Sequence, residues 1–405
     1  MNILFLTLVD FDSLDDRNIY TDLLRKFHQE GHRVYIISPV ERKSHKQAKC
    51  IKIDEKSRIL KLRIGNIQKT NLFEKGISTI TLESIFISAI KKYYADVKFD
   101  LVLYSTPPIT LQKAVNYVKK RDNAITYLLL KDIFPQNAVD MGMLSKHGIK
   151  GLLYRYFRIK EMKLYQDSDY IGCMSEANMK YIKRHNPQIV SDKIEICPNC
   201  IEPLDKKISE KEKAGIRKKL GVPKDKLLFV YGGNLGKPQG IPFLIECLRR
   251  IQEEESVYFL IVGSGTEYGK LRDFVRNENP ENIKLLRELP VKDYERMILA
   301  ADVGLIFLDY RFTIPNFPSR LLSYMQAGIP ILACTDVNTD VGRIIAENGF
   351  GWWCESTDIK KFQNKIREII ADDDRKGKGI TGHNYLIQNY SVDKAATIIL
   401  QHMTQ

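Results

Sequence analysis

The chain has 405 residues, 44% hydrophobic and 28% charged, with a formal net charge of +13. That balance excludes a disordered chain, and no run approaches the ~20 consecutive apolar residues of a membrane span. Residues 1–200 carry a net charge of +11 and residues 201–405 only +2, so an anionic partner is expected for the first half: a membrane surface, a phosphorylated lipid or a nucleic acid.

Asn2–Leu8 is a continuous apolar run without a basic leader, followed by Asp12, Asp15 and Asp16. It reads as a first strand buried on both faces rather than a signal peptide. An amphipathic helix follows at about Ile19–Gln29, closed by Gly31, and then a second strand at Arg33–Ser38. Leu101–Tyr104, Ile125–Leu130 and Tyr170–Met174 continue the strands, with a helix near Leu111–Lys120. The rhythm restarts with strand Lys226–Tyr231, helix Pro242–Gln252 and strand Val257–Val262. Further strands are predicted at Val303–Phe307 and Ile329–Ala333, and helices at Thr381–Gln388 and Val392–His402. Alternation of this kind predicts α/β parallel sheets built twice, leaving a cleft at the strands' C-terminal edges. The join falls near Cys197–Asp225, where Pro198, Pro203, Pro223 and a Lys-rich run break the apolar pattern.

Seven cysteines, an odd number without an export signal, read as reduced cytoplasmic thiols. Cys197-Pro198-Asn199-Cys200 lacks the second CxxC of a zinc site and the following helix of a redox site, and reads as a connector.

Three loops carry candidate chemistry. Tyr231-Gly232-Gly233-Asn234-Leu235-Gly236-Lys237-Pro238-Gln239-Gly240 follows a strand and opens a helix. Its glycines would let backbone N–H groups approach a phosphate, or simply form a tight turn. Val262-Gly263-Ser264-Gly265 is a second such turn. In Pro315-Asn316-Phe317-Pro318-Ser319-Arg320-Leu321-Leu322-Ser323, Pro318 stands at a helix start with Ser319 and Arg320 in its first turn. A cation there opposes the helix dipole, so Arg320 is either solvated or answered by an anion such as a diphosphate.

The order of these turns, with LPVKDYERMILAADVGL and PSRLLSYMQAGIPIL after them, resembles the nucleotide-binding domain of family 4 glycosyltransferases. MNILFLT, EGHRVYIISP and KDIFPQNAVDMG resemble the acceptor domain of members that build capsule, O-antigen and exopolysaccharide. The resemblance implies the GT-B fold: two Rossmann-like doubly wound domains facing across a cleft, residues 1–198 for the acceptor and 199–389 for the donor. A terminal helix, about 390–405, would pack back on the first. It also implies transfer of a sugar from a nucleotide diphosphate, UDP favoured and GDP the alternative, to a polyprenyl diphosphate-linked saccharide. The reaction would retain configuration and need no metal or other cofactor, on the cytoplasmic face of the membrane.

Residue by residue, the resemblance assigns Gly233, Asn234, Leu235, Gly236 and Gln239 to the diphosphate turn, and Gly263 and Gly265 to the nucleotide. Arg287 and Leu289 fall in the segment that reads the base. Pro318, Ser319, Arg320, Leu321 and Ser323 fall in the phosphate-binding segment. Asp132 matches the acidic residue of the acceptor loop, and Lys131 stands where many members have histidine. Two glutamates common in the family are replaced at about Pro315 and Ser323, and two cations by Asn234 and Gln239. Arg320, helped by Lys237, is therefore the main positive charge expected against the leaving group, with N–H groups of Gly233–Gly236 and the helix after Pro318. Asp132 or Lys131 would orient the acceptor or the donor sugar.

Lys146–Tyr165 holds six Lys/Arg against one Glu, interleaved with apolar and aromatic residues. It suits an anionic membrane surface, or a helix packed on its own sheet with a basic outer face. A GT-B-fold nucleotide-sugar epimerase and a catalytically silent scaffold are the rival readings. No nucleic-acid module is recognisable, and no nucleic-acid partner is expected.

Overall fold

The computed structural model describes residues 1–66 and 72–403. The chain divides into two units, Met1–Glu202 with Val392–Gln405, and Pro203–Ser391. Among the described residues, no helix is long and apolar enough to cross a membrane.

The first unit runs β1 (Asn2–Leu6), α1 (Thr21–Gln29), β2 (Arg33–Glu41), β3 (Lys49–Lys52), β4 (Arg58–Ile64), α2 (Leu72–Tyr93) and β5 (Leu101–Ser105). It continues with α3 (Gln112–Asp122), β6 (Ile125–Leu130), α4 (Gln136–Asp140), α5 (Gly148–Asp167), β7 (Tyr170–Cys173), α6 (Glu176–His185) and β8 (Ile194–Ile196). The sheet order is β3-β4-β2-β1-β5-β6-β7-β8, and only β3 is antiparallel to its neighbour. Ile3, Leu4, Phe5 and Leu6 are fully buried, because helices cover both faces of a parallel sheet and leave no wet side to alternate toward.

β4, RILKLRI, interrupts that pattern with Lys61, whose side chain is nevertheless fully buried. Its ammonium pairs with Asp10 and donates to the Phe11 carbonyl (2.9 Å) and Ser38 Oγ (3.0 Å). A buried lysine is tolerated only when its donors are satisfied, and here they tie the β1–α1 loop to the sheet.

The second unit comprises α7 (Glu210–Leu220), β9 (Leu227–Asn234), α8 (Ile241–Arg250), β10 (Val257–Ser264), α9 (Tyr268–Glu278), β11 (Ile283–Leu286), α10 (Val291–Leu299) and β12 (Val303–Phe307). α11 (Arg320–Gln326), β13 (Ile331–Thr335), α12 (Val341–Glu347), β14 (Gly351–Glu355), α13 (Ile359–Ala371) and α14 (Arg375–Asn389) complete it. The sheet is wholly parallel in the order β11-β10-β9-β12-β13-β14. The strand expected at Ile329–Ala333 begins only at Ile331. Gly328, at φ +64, first reverses the chain after α11, and Pro330 has no N–H for the ladder.

α15 (Val392–Leu400) belongs to the first unit, where Val392, Ala395, Ala396 and Ile399 join the core around Phe27 and Leu24. His402 follows, stacked on Tyr170 at 3.6 Å and hydrogen-bonded to Glu195 at 2.9 Å. In each sheet the strand order reverses beside the unit's first strand, between β1 and β5 and between β9 and β12. Doubly wound sheets bind their ligands at the strand ends beside such a switch point.

Candidate active site

In the second unit the loops after β9 and β12 meet at the switch point. The Asp309 N–H donates to the Pro238 carbonyl at 3.0 Å, and Gly240, at φ +58, abuts the Asp309 backbone. Arg320 is the first residue of α11, after Ser319 at the N-cap. Its guanidinium lies 4.2 Å from the Tyr231 ring centroid, and a Cβ on Gly233 would be 3.4 Å from its Nη2.

Arg320 Nη1 is buried without a hydrogen-bond partner, and no carboxylate pairs with the group among the described residues. Burial opposes the charge, yet neighbouring Tyr231, Tyr324 and Tyr294 outweigh it and keep the guanidinium protonated. A buried cation without a counter-ion is costly, so this arrangement is one that an anion would complete.

The backbone supplies less than expected. The Leu235 N–H donates to the Ser264 carbonyl (2.9 Å) and the Gly236 N–H to Gln239 Oε1 (3.1 Å). Asn234 Nδ2 also donates to Gln239 Oε1, at 2.9 Å. Two of the N–H groups expected to face a phosphate are thus already engaged, and Gln239 braces the turn instead of replacing the missing cation. α11 has only seven residues, so its dipole adds little to the Arg320 charge.

Gly263 and Gly265 lie against the same turn, and packing explains them. A Cβ on Gly263 would fall 1.9 Å from the Gly233 carbonyl oxygen, and one on Gly265 2.5 Å from that of Leu235. Leu235 and Leu321 are fully buried in the core, which leaves only their backbone to meet a ligand. Ser319 is exposed and makes no side-chain cap bond, and Ser323 and Pro318 are half-buried. Arg287 and Leu289 follow β11, Arg287 exposed with its guanidinium 5.8 Å from the Tyr268 ring. Lys237 is exposed.

In the first unit, Lys131 and Asp132 follow β6. Thr106 Oγ1 accepts from both their N–H groups (3.1 and 3.2 Å) and donates to the Asp132 carbonyl (3.0 Å). Asn137 Nδ2 donates to both carboxylate oxygens, at 2.8 and 2.7 Å. Burial nonetheless raises the Asp132 pKa to about 6, against the lowering effect of Asn137 and of the Ile133 N–H. Lys131 is 5.9 Å from the Tyr20 ring centroid, has no carboxylate partner among the described residues, and is lowered in pKa by burial. Cys197 and Cys200 are buried there too, their thiols raised by burial to about 11 and about 12. Such thiols stay protonated and unreactive near neutral pH.

Tyr231, Tyr294 and Asn137 escape a reading of motifs. Tyr294 leaves a trace in the sequence as the bulky partner of Gly232, where a Cβ would sit 2.2 Å from its hydroxyl.

Two doubly wound parallel-sheet units, each with its loops gathered at a switch point, define the GT-B architecture. Residues 212–381 match the family described as Glycosyl transferases group 1, and the chain is a glycosyltransferase. It is 26% identical over 328 residues to "Probable glycosyltransferase WbjE" of Pseudomonas aeruginosa, covering 80% of this chain and 78% of that one. Similar solved structures include sucrose-phosphate synthase of Thermosynechococcus elongatus (TM-score 0.76, 16% identity, 100% and 99% of the chains). WaaG, a glycosyltransferase involved in lipopolysaccharide biosynthesis, superposes with a TM-score of 0.67 (14% identity, 98% and 99%). HepE of Anabaena, solved with UDP-glucose, does so at 0.71 (14% identity, 100% and 99%). At these identities the structures speak for the fold.

Proposed function

We propose that this glycosyltransferase moves a sugar from a uridine diphosphate donor to a lipid-linked saccharide in bacterial surface polysaccharide assembly. The observation that carries the donor is Arg320, a buried guanidinium without a counter-ion beside the Gly233 turn. The likeness to HepE, solved with UDP-glucose, favours uridine. The likeness to WaaG favours a role in building a surface glycan.

In the transfer, the bond from the sugar's C1 to the diphosphate breaks and its electron pair goes to phosphate oxygen. Arg320 stabilises that growing charge, the largest single contribution such a site makes, and this proposal gives a metal no role. The acceptor hydroxyl forms the new bond to C1, with retention, and its proton passes to the departing diphosphate oxygen. Asp132, a carboxylate above about pH 6, and Lys131 are the first unit's groups for orienting that hydroxyl. A polyprenyl diphosphate-linked acceptor would place the enzyme on the cytoplasmic face of the membrane.

The test is thermal stabilisation by UDP, GDP, CDP and ADP in wild type and Arg320→Ala. A nucleotide that binds the folded state at 100 times its Kd stabilises by about 2.7 kcal/mol. Stabilisation by UDP, lost in the variant, is expected. GDP alone raising the melting temperature would change the donor, and no response to any nucleotide would sink the reading.

A further inference from the structure

We infer that the Tyr294 hydroxyl is a second donor to the departing diphosphate, beside Arg320, and supplies what Asn234 and Gln239 do not. The inference rests on the proposed nucleotide donor and deepens it by one residue.

α10 follows β11, so its first turns lie at the C-terminal edge of the sheet, where doubly wound units bind their ligands. Met297 and Ile298 face the core, and Tyr294, one turn earlier, shares that side of the helix. The side chain is thereby carried over the end of β9. A Cβ on Gly232 would lie 2.2 Å from the Tyr294 hydroxyl and 2.3 Å from its ring. Gly232 therefore makes room for this tyrosine, immediately before the Gly233 that abuts Arg320. Tyr294 and Arg320 are near enough for each to influence the other's ionisation.

Three tyrosines neighbour Arg320, and their hydroxyls have different fates. Tyr231 donates to the Asn234 carbonyl at 2.7 Å. Tyr324 donates to the carbonyls of Leu305 (3.1 Å) and Val230 (3.3 Å). The Tyr294 hydroxyl makes no hydrogen bond among the described residues, although its side chain is half-buried. Packing on a glycine asks only for a ring, which phenylalanine would supply without a hydroxyl to be taken from water. Burial raises the pKa of the phenol against the opposing pull of Arg320, so the group keeps its proton and meets an anion as a donor.

A departing diphosphate presents more oxygens than one guanidinium can hold, since Arg320 grips at most two side by side. The Leu235 and Gly236 N–H groups are already engaged. A second buried cation would have to be kept without a counter-ion whenever the site is empty, whereas a neutral phenol avoids that cost. As the bond from C1 to the diphosphate breaks and its electron pair moves onto oxygen, the hydrogen bond from Tyr294 strengthens, and the phenol retains its proton.

The experiment titrates the full chain, as wild type, Tyr294→Phe and Arg320→Ala, with UDP by calorimetry and with uridine by ligand-observed NMR. GDP and guanosine are run alongside, and the comparison is read on whichever diphosphate binds the wild type. Tyr294→Phe keeps the ring on Gly232. It should weaken UDP binding about tenfold and leave uridine binding unchanged, because uridine has no phosphate. The melting temperature of the ligand-free protein should not fall, since the lost hydroxyl has no partner in the protein. Wild-type affinity for UDP in Tyr294→Phe, with Arg320→Ala weakened, would overturn the inference and leave the donor reading intact. Equal loss of UDP and uridine binding would overturn it too, because the hydroxyl would then hold the shape of the site rather than a phosphate. So would a lower melting temperature of the ligand-free Tyr294→Phe variant. Binding of neither diphosphate by the wild type would remove the donor reading and this inference with it.

Discussion

Gly263 on β10 lies so close to Gly233 on β9 that a Cβ on Gly263 would sit 1.9 Å from the Gly233 carbonyl oxygen. The two turns are in register as parallel neighbours, and the Leu235 N–H to Ser264 carbonyl bond locks them together. The shape of the turn facing Arg320 therefore depends on the absence of a side chain one strand away. Gly263→Ala must push the strands apart, and overpacking of this kind costs about 1–3 kcal/mol. Urea unfolding should show that loss, and UDP affinity should fall with it. Unchanged stability would mean that the turn is softer than its geometry implies.

Arg320→Ala should reduce transfer by about 100-fold or more, the scale seen when one preorganised donor to a developing negative charge is removed. Arg320→Lys should recover only part of it, since an ammonium can neither stack on Tyr231 nor bind two oxygens side by side. Full activity in the lysine variant would show that simple charge is enough.

Tyr231 serves Arg320 through its ring and the turn through its hydroxyl, which donates to the Asn234 carbonyl at 2.7 Å. Tyr231→Phe keeps the ring and should cost about 1 kcal/mol of stability. Tyr231→Leu removes the ring too and should weaken UDP binding by a further ~1 kcal/mol, about fivefold in Kd. Titration calorimetry separates the two; identical affinities in both variants would assign no binding role to the ring.

Asp132 gives a pH signature. Its folded pKa of about 6 lies above the model-peptide value of 3.8, so the folded protein holds a proton that the unfolded chain has released between those limits. This contribution to stability is therefore present at low pH and disappears as pH rises toward 6, by on the order of 2 kcal/mol. Asp132→Asn should flatten that part of the stability profile, as denaturant unfolding at pH 5 and pH 7 would reveal. If the ionised carboxylate orients the acceptor, wild-type transfer rises through pH 6 and the asparagine variant stays low throughout.

Cys50 is the exposed cysteine, and Cys173, Cys197, Cys200, Cys247, Cys334 and Cys354 are buried. A thiol reagent should label Cys50 rapidly in the native protein, and Cys50→Ser should abolish the fast phase. Rapid labelling that persists in the variant would mean that one of the six buried thiols becomes accessible in the native state.

Strands such as β6 and β12 were legible because a strand covered on both faces is apolar at every position. β3, β4, β8, β11 and β14 were not. β3 is a short edge strand and β8 is shorter still, while β4 carries a lysine whose burial makes sense only once Asp10 and Ser38 are beside it. In the candidate site, Gly233 and Arg320 stood out by residue type and position in their loops, whereas Asp132 was named only through the resemblance of KDIFPQ to the acceptor loop. That Gln239 occupies the Gly236 N–H, or that Tyr231 underlies Arg320, could not be read from the motifs.

The sequence by itself determined the doubled α/β rhythm, the order of the glycine turns and the excess of positive charge in the first half. These depend on residue type and on neighbours a few positions away. The tertiary structure decided which groups remain available to a ligand. Ser264 takes one turn N–H and Gln239 another, Glu83 and Glu161 take two α5 cations, and Arg320 together with Lys150, Arg155 and Lys163 of α5 has no counter-ion among the described residues. Burial and hydrogen-bond partnership are set by groups the fold brings together, and they decide whether a given cation is spent inside the protein or free to meet an anion.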